Sequence, residues 1–191
     1  MHVLLLHHAL GVTPGVAALA DALRAGGHQV AVPDLYEGRV FTELDDGVAH
    51  AESVGFDEVI DRGVRAADDL DDDLAVIGIS LGVLPAQKLA QTRAGVRGAV
   101  LVSAAVPVST FGDGWPSTCA VELHLGASDP WVDDDLDAAR ELAAAAGGEL
   151  CMYPTDAHLF LDSSHADHEP ELAAAITGRI LGFLDGLEAG G

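Results

Sequence analysis

The run Leu74-Ala75-Val76-Ile77-Gly78-Ile79-Ser80-Leu81-Gly82-Val83-Leu84-Pro85-Ala86-Gln87-Lys88-Leu89-Ala90 decides the fold. Its first four residues are apolar and partly β-branched, as a strand buried on both faces requires. The last eight carry apolar residues at helical spacing, with a proline early enough for a first helical turn. Between them, Gly78-Ile79-Ser80-Leu81-Gly82 reads as a sharp strand-to-helix turn. Such a turn swings the serine out at the carboxyl edge of a sheet, and its glycines keep Cβ atoms out of a crowded corner. Ser80 is therefore a candidate nucleophile.

The same beat runs outward from this stretch in both directions. Strands are expected over Val3 to Leu6, Gln29 to Val32, Leu74 to Ile79, Ala99 to Ser103, Ala120 to Leu125 and Glu149 to Tyr153. Helices are expected over Pro14 to Ala25, Phe56 to Leu70, Val83 to Gln91, Asp133 to Ala146 and Glu171 to Leu184, the first opened by Thr13-Pro14 and closed by Gly26-Gly27. The residues between Val32 and Phe56 read as irregular. Strands alternating with helices imply right-handed crossovers and a mostly parallel sheet of about six strands covered on both faces. No linker, repeat or charge shift divides residues 1–191, so one α/β domain is expected, with its core over about residues 2–186. The connections after the second, fourth and sixth strands are longer than a simple link needs, which points to site construction.

Composition narrows the partners. The chain has 191 residues, 49% of them hydrophobic, enough for one sizeable core. Nine Lys+Arg stand against 31 Asp+Glu, a formal net charge of -22. Nucleic acid and anionic membrane surfaces are disfavoured by repulsion. Such acidity, with Lys88 as the single lysine, suits a high-salt cytoplasm and equally a GC-rich genome. The acidic runs Asp71-Asp72-Asp73 and Asp133-Asp134-Asp135 read as solvated faces and helix starts, since EF-hand spacing and its glycine are missing. Cys119 and Cys151 sit in or beside apolar runs and are expected as free thiols. Met1-His2 leads straight into a short apolar strand without a basic leader, and no run reaches the ~20 apolar residues of a membrane span. A soluble, cytoplasmic protein is expected.

Ligands of doubly wound sheets sit beyond the carboxyl ends of the strands. At those positions lie His7-His8-Ala9-Leu10-Gly11 after the first strand, Ser80 after the third, Asp129-Pro130-Trp131 after the fifth and Asp156-Ala157-His158 after the sixth. A serine, an acid and a histidine in that order suit nucleophilic catalysis. An imidazole must take the hydroxyl proton, and a carboxylate must hold the imidazole in the correct tautomer. His158 is the candidate base and Asp129 the candidate acid; Asp156, two residues from His158, would struggle to reach Nδ1. The backbone N–H groups of Ala9 and Leu81 are candidates for an oxyanion hole. His124 lies within a strand and is expected in the core. His165 and His168 lie on a polar stretch, and His7 and His8 point to opposite faces, so no metal is expected at either pair.

With these positions identified, the chain resembles the dienelactone hydrolase family of α/β-hydrolases over nearly its whole length. The resemblance rests on His7-His8-Ala9-Leu10-Gly11-Val12, Pro33-Asp34-Leu35-Tyr36-Glu37-Gly38, the serine turn, Asp129-Pro130-Trp131-Val132-Asp133 and Ala157-His158-Leu159-Phe160. It implies a lidless, cofactor-free hydrolase of small-molecule esters or lactones working through an acyl-enzyme. It also implies that the first strand here matches the third strand of larger hydrolases. Two positions depart from the best-known members. Ser80 replaces a cysteine nucleophile and His8 a glutamate, so dienelactone activity itself is not expected. His8, Tyr36 and Trp131 are candidates for the pocket, and for His8 a purely structural role is an equal alternative. A thioesterase or acyl-peptide hydrolase would use the same triad, and a non-catalytic binding protein would keep the fold without the chemistry.

Overall fold

Strand and helix lengths follow from where apolar residues can be hidden. In the computed structural model, which describes residues 1–133 and 135–190, the strands are β1 (His2–Leu6), β2 (Gln29–Ala31), β3 (Leu74–Ile79), β4 (Val96–Val102), β5 (Ala120–Gly126) and β6 (Glu149–Tyr153). They form one sheet in the order β2-β1-β3-β4-β5-β6, and every neighbouring pair is parallel. The order reverses between β1 and β3, so a crevice opens at their carboxyl ends.

The helices are α1 (Pro14–Ala25), α2 (Leu44–Val54), α3 (Phe56–Arg65), α4 (Val83–Thr92), α5 (Leu136–Ala146) and α6 (Pro170–Ala189). Alternation along the strands sends Leu4, Leu6, Val76, Leu101 and Leu123 into the core shared with α2 to α5. It sends Val3, Leu5, Ile77, Val100 and Val102 into the core shared with α1 and α6. α1 begins as its sequence predicts, with the Thr13 hydroxyl accepting the Val16 N–H at 3.2 Å and proline in the first turn.

Four expectations about the helices change. The stretch read as irregular contains α2, whose helical signal is weakened by Gly47. That glycine is demanded by packing, because a Cβ there would come within 2.1 Å of the Ala9 carbonyl oxygen. The helix expected over Phe56 to Leu70 ends at Arg65 and continues in short-range turns, Asp68 N–H to Arg65 and Leu70 N–H to Ala67, both 3.0 Å. The helix expected from Asp133 starts at Leu136; Asp134 lies outside the described residues. α6 runs on to Ala189, past the expected end at Leu184.

Candidate active site

Ser80 closes β3 at a positive φ of 50°, a strained conformation for a residue with a Cβ, and a 3₁₀ turn, Ser80–Gly82, runs directly into α4. The corner is too tight for side chains on either side. A Cβ on Gly78 would lie 2.5 Å from the Gly82 carbonyl oxygen, and one on Gly82 would lie 2.2 Å from that of Leu6. The glycines thus let the turn press against β1, and the serine hydroxyl faces the crevice.

The loops after β5 and β6 bring the other two side chains to it. His158 Nε2 lies 2.8 Å from Ser80 Oγ, and His158 Nδ1 lies 2.7 Å from Asp129 Oδ2. Asp129 is fully buried, and its second oxygen accepts the Trp131 N–H at 2.9 Å. The Asp129 loop is itself held to the next strand by Ala127 N–H to the Tyr153 carbonyl (2.7 Å) and Ser128 N–H to the Thr155 carbonyl (3.1 Å). With Nδ1–H donated to a carboxylate, the Nε2 lone pair is left for the serine proton. Asp156, the rival acid, is exposed.

Several residues that hold this geometry carry no signal in the sequence. The Asp167 carboxylate accepts the backbone N–H groups of His158 and Leu159, at 3.1 and 3.3 Å. Ser103, buried at the end of β4 with φ 59°, donates its hydroxyl to the His158 carbonyl at 2.7 Å. Gln87 on α4 clamps the loop after β4, donating to the Val106 carbonyl (2.8 Å) and accepting the Val106 N–H (3.2 Å). Only the positive φ of Ser103 marks its role, and that is a property of the folded backbone.

A cavity of about 200 Å³ opens beside Ser80 and His158. Its walls are mainly apolar, with Ala9, Val48, Phe56, Leu84, Val106 and Trp131 among them, and Leu81 also lines it. Ala9 and Leu81, the oxyanion-hole candidates, therefore share a wall with the serine. Trp131 is 46% exposed at its mouth, and its ring lies 5.7 Å from that of His158.

The other two pocket candidates lie elsewhere. His8 is buried and turned to Asp162, with Nε2 2.8 Å from Oδ2 and Nδ1 accepting the Leu10 N–H at 3.3 Å. Thr13 donates to the same oxygen of Asp162 at 2.5 Å, and the Ser164 hydroxyl to the other at 2.6 Å. Burial alone would raise the Asp162 carboxyl, but the hydrogen bonds from His8, Ser164 and Thr13 outweigh it and hold it well below the usual carboxylate range. Tyr36 is buried, and its hydroxyl donates to the Gly47 carbonyl at 3.2 Å. Burial lifts that phenol to about 12. His8 and Tyr36 thus brace the loop after β1 and helix α2; neither lines the cavity at Ser80. His7 is likewise structural, its Nε2 accepting the Leu35 N–H at 3.0 Å and its pKa pushed down to about 4 by burial.

A parallel sheet in this strand order, with a serine turn after β3, an acid after β5 and a histidine after β6, has the α/β-hydrolase fold. No family model matches the sequence, and no curated protein matches it. Solved structures do. The chain is similar to a protein of Klebsiella pneumoniae assigned to the dienelactone hydrolases, with TM-score 0.75 and 19% identity over 96% of this chain and 86% of that one. It is similar to a dienelactone hydrolase-like promiscuous phosphotriesterase from metagenomic libraries, with TM-score 0.78 and 18% identity over 97% and 86%. A cold-adapted esterase from an Arctic intertidal metagenomic library follows at TM-score 0.64 and 18% identity over 94% and 81%. No helix among the described residues is long and apolar enough to cross a membrane.

Proposed function

We propose that this chain is a serine hydrolase of the dienelactone hydrolase type that cleaves small carboxylic esters or lactones. The observation that carries the reading is the unbroken chain Asp129–His158–Ser80, with contacts of 2.7 and 2.8 Å, opening onto an apolar cavity. In this reading Ser80 Oγ attacks the acyl carbon while His158 Nε2 takes its proton. Asp129, buried against His158 Nδ1, stabilises the resulting imidazolium. The oxyanion is met by the N–H groups of Leu81 and Ala9, each such donor contributing about 3 kcal/mol to the barrier reduction. His158 returns the proton to the leaving alkoxide, and water then hydrolyses the acyl-enzyme by the same steps. A cavity of about 200 Å³ favours short acyl groups over long chains. The names of the similar structures, a dienelactone hydrolase and an esterase among them, support the same reaction class.

The test is labelling by a fluorophosphonate probe together with turnover of short-chain aryl esters. Both are expected to vanish in Ser80→Ala, with a fall in kcat of about 10⁶. Hydrolysis at the original rate in that variant would overturn the assignment.

A further inference from the structure

The sheet face under α1 and α6 is apolar from β1 to β4 and changes character at β5 and β6. There the inward alternation places Glu122 and His124 on β5, and Glu149, Cys151 and Tyr153 on β6, with Glu122 paired to Glu149 and His124 to Cys151 in register. Arg179 of α6 closes over them, its Nε and Nη2 each 2.8 Å from Glu122 Oε1 and Nη2 2.8 Å from Glu149 Oε1. The cluster lies on the opposite face of the sheet from α5, and none of its residues lines the cavity beside Ser80.

His124 is the anomalous member. Its side chain is wholly buried, Nδ1 lies 2.8 Å from the Tyr153 hydroxyl, and Nε2 has no hydrogen-bond partner among the described residues. The Glu122 Oε1 toward which it points is 3.6 Å away, beyond hydrogen-bond range. When the Tyr153 oxygen accepts the Nδ1 proton, Nε2 presents a bare lone pair into the cluster. A buried nitrogen in that state calls for a partner, and an ion is one of the few that fit.

We propose that Glu122, His124 and Cys151 form a binding site for a divalent transition cation of the zinc class. Their donor atoms lie within 4.8 Å of one another, with Glu122 Oε1 3.6 Å from His124 Nε2 and 3.7 Å from Cys151 Sγ. Ligand bonds of about 2.0 Å to nitrogen and oxygen and about 2.3 Å to sulfur give tetrahedral edges of roughly 3.3–3.5 Å, so these two edges are already close to length. Thiolate, imidazole and carboxylate together select zinc over magnesium or calcium. Glu149 Oε1, 3.6 Å from Cys151 Sγ, can complete the shell. Tyr153 orients the imidazole from its far nitrogen, the position from which an outer acceptor fixes the tautomer of a metal-bound histidine. Binding forms a metal–sulfur bond, breaks the Cys151 S–H bond and releases one proton to solvent. Because Arg179 already neutralises Glu122, the cation must displace a guanidinium that is 42% exposed and free to swing into water.

Chelator-treated protein titrated with Co²⁺ and Zn²⁺ tests this. One ion per chain, one proton released and a thiolate-to-cobalt charge-transfer band are expected. Cys151→Ser should abolish the band and weaken binding at least about 100-fold, and Tyr153→Phe should weaken it about 10- to 100-fold. Arg179→Gln should tighten binding by removing the competing charge, a result that a purely structural ion-pair cluster would not produce. Circular dichroism of each variant verifies the fold, and ester turnover by the stripped protein is expected to be unchanged. Absence of a saturable site, or equal affinity and no charge-transfer band with and without Cys151, would overturn the proposal and leave only ions scattered on an acidic surface.

Discussion

His158 and His8 are both buried, and each meets a buried carboxylate at nearly the same distance, 2.7 Å to Asp129 and 2.8 Å to Asp162. What separates them is the second ring nitrogen. In His158 it lies 2.8 Å from a serine hydroxyl beside a cavity; in His8 it accepts the Leu10 N–H at 3.3 Å. The first imidazole can take a proton during a reaction. The second already has both nitrogens committed, so its pair with Asp162 acts as a strut between the loop after β1, the cap of α1 and the loop after β6. A histidine–carboxylate pair is thus a base or a brace according to what the other nitrogen meets.

Replacing the acid in each pair should separate the two roles. Asp129→Asn keeps the shape but offers an amide donor to His158 and favours the wrong tautomer. A fall in kcat of about 10⁴ with an unchanged melting temperature is expected from steady-state kinetics and calorimetry. If kcat stayed within tenfold, His158 would not depend on Asp129. Asp162→Ala should do the reverse, costing about 3–5 kcal/mol of stability in denaturant unfolding while ester turnover by the folded fraction changes little.

The strut should also show in the acid limb of stability. Asp162 titrates below its unfolded value of about 3.9, so the folded chain binds fewer protons there. Its contribution is complete above about pH 5 and is lost as pH falls toward the folded pKa. Unfolding curves between pH 5 and 2 should therefore be flatter for Asp162→Asn than for the parent; parallel curves would remove Asp162 from the account. The smallest effect is expected for Tyr36→Phe, which deletes the bond to the Gly47 carbonyl and should cost about 1 kcal/mol of stability. A fall in ester turnover by the folded variant would mean that Tyr36 reaches the cavity at Ser80 after all.

Much of the architecture was legible because it is encoded locally. β3, the serine turn and the start of α4 follow from periodicity, two glycines and a proline within seventeen consecutive residues. α2 was not legible, because Gly47 lowers its helical signal for a reason that lies in β1's loop. His8 and Tyr36 were drawn toward the cavity by their place on crevice loops, yet their partners, Asp162 and Gly47, pull both away from it. The roles of Ser103 and Asp167 were invisible, since they act on the backbone of His158 from 55 and 9 residues away.

Near-neighbour chemistry therefore settled the alternating strands and helices, the strained corner at Ser80 and the order serine, acid, histidine along the chain. Pairing was left to the folded state. The contact between His8 and Asp162 spans 154 residues, and that between His158 and Ser80 spans 78. Which of several histidines meets which carboxylate depends on strand order and on how deeply each loop is buried. Burial and long-range proximity are properties of the packed sheet, with no counterpart in residues adjacent along the chain.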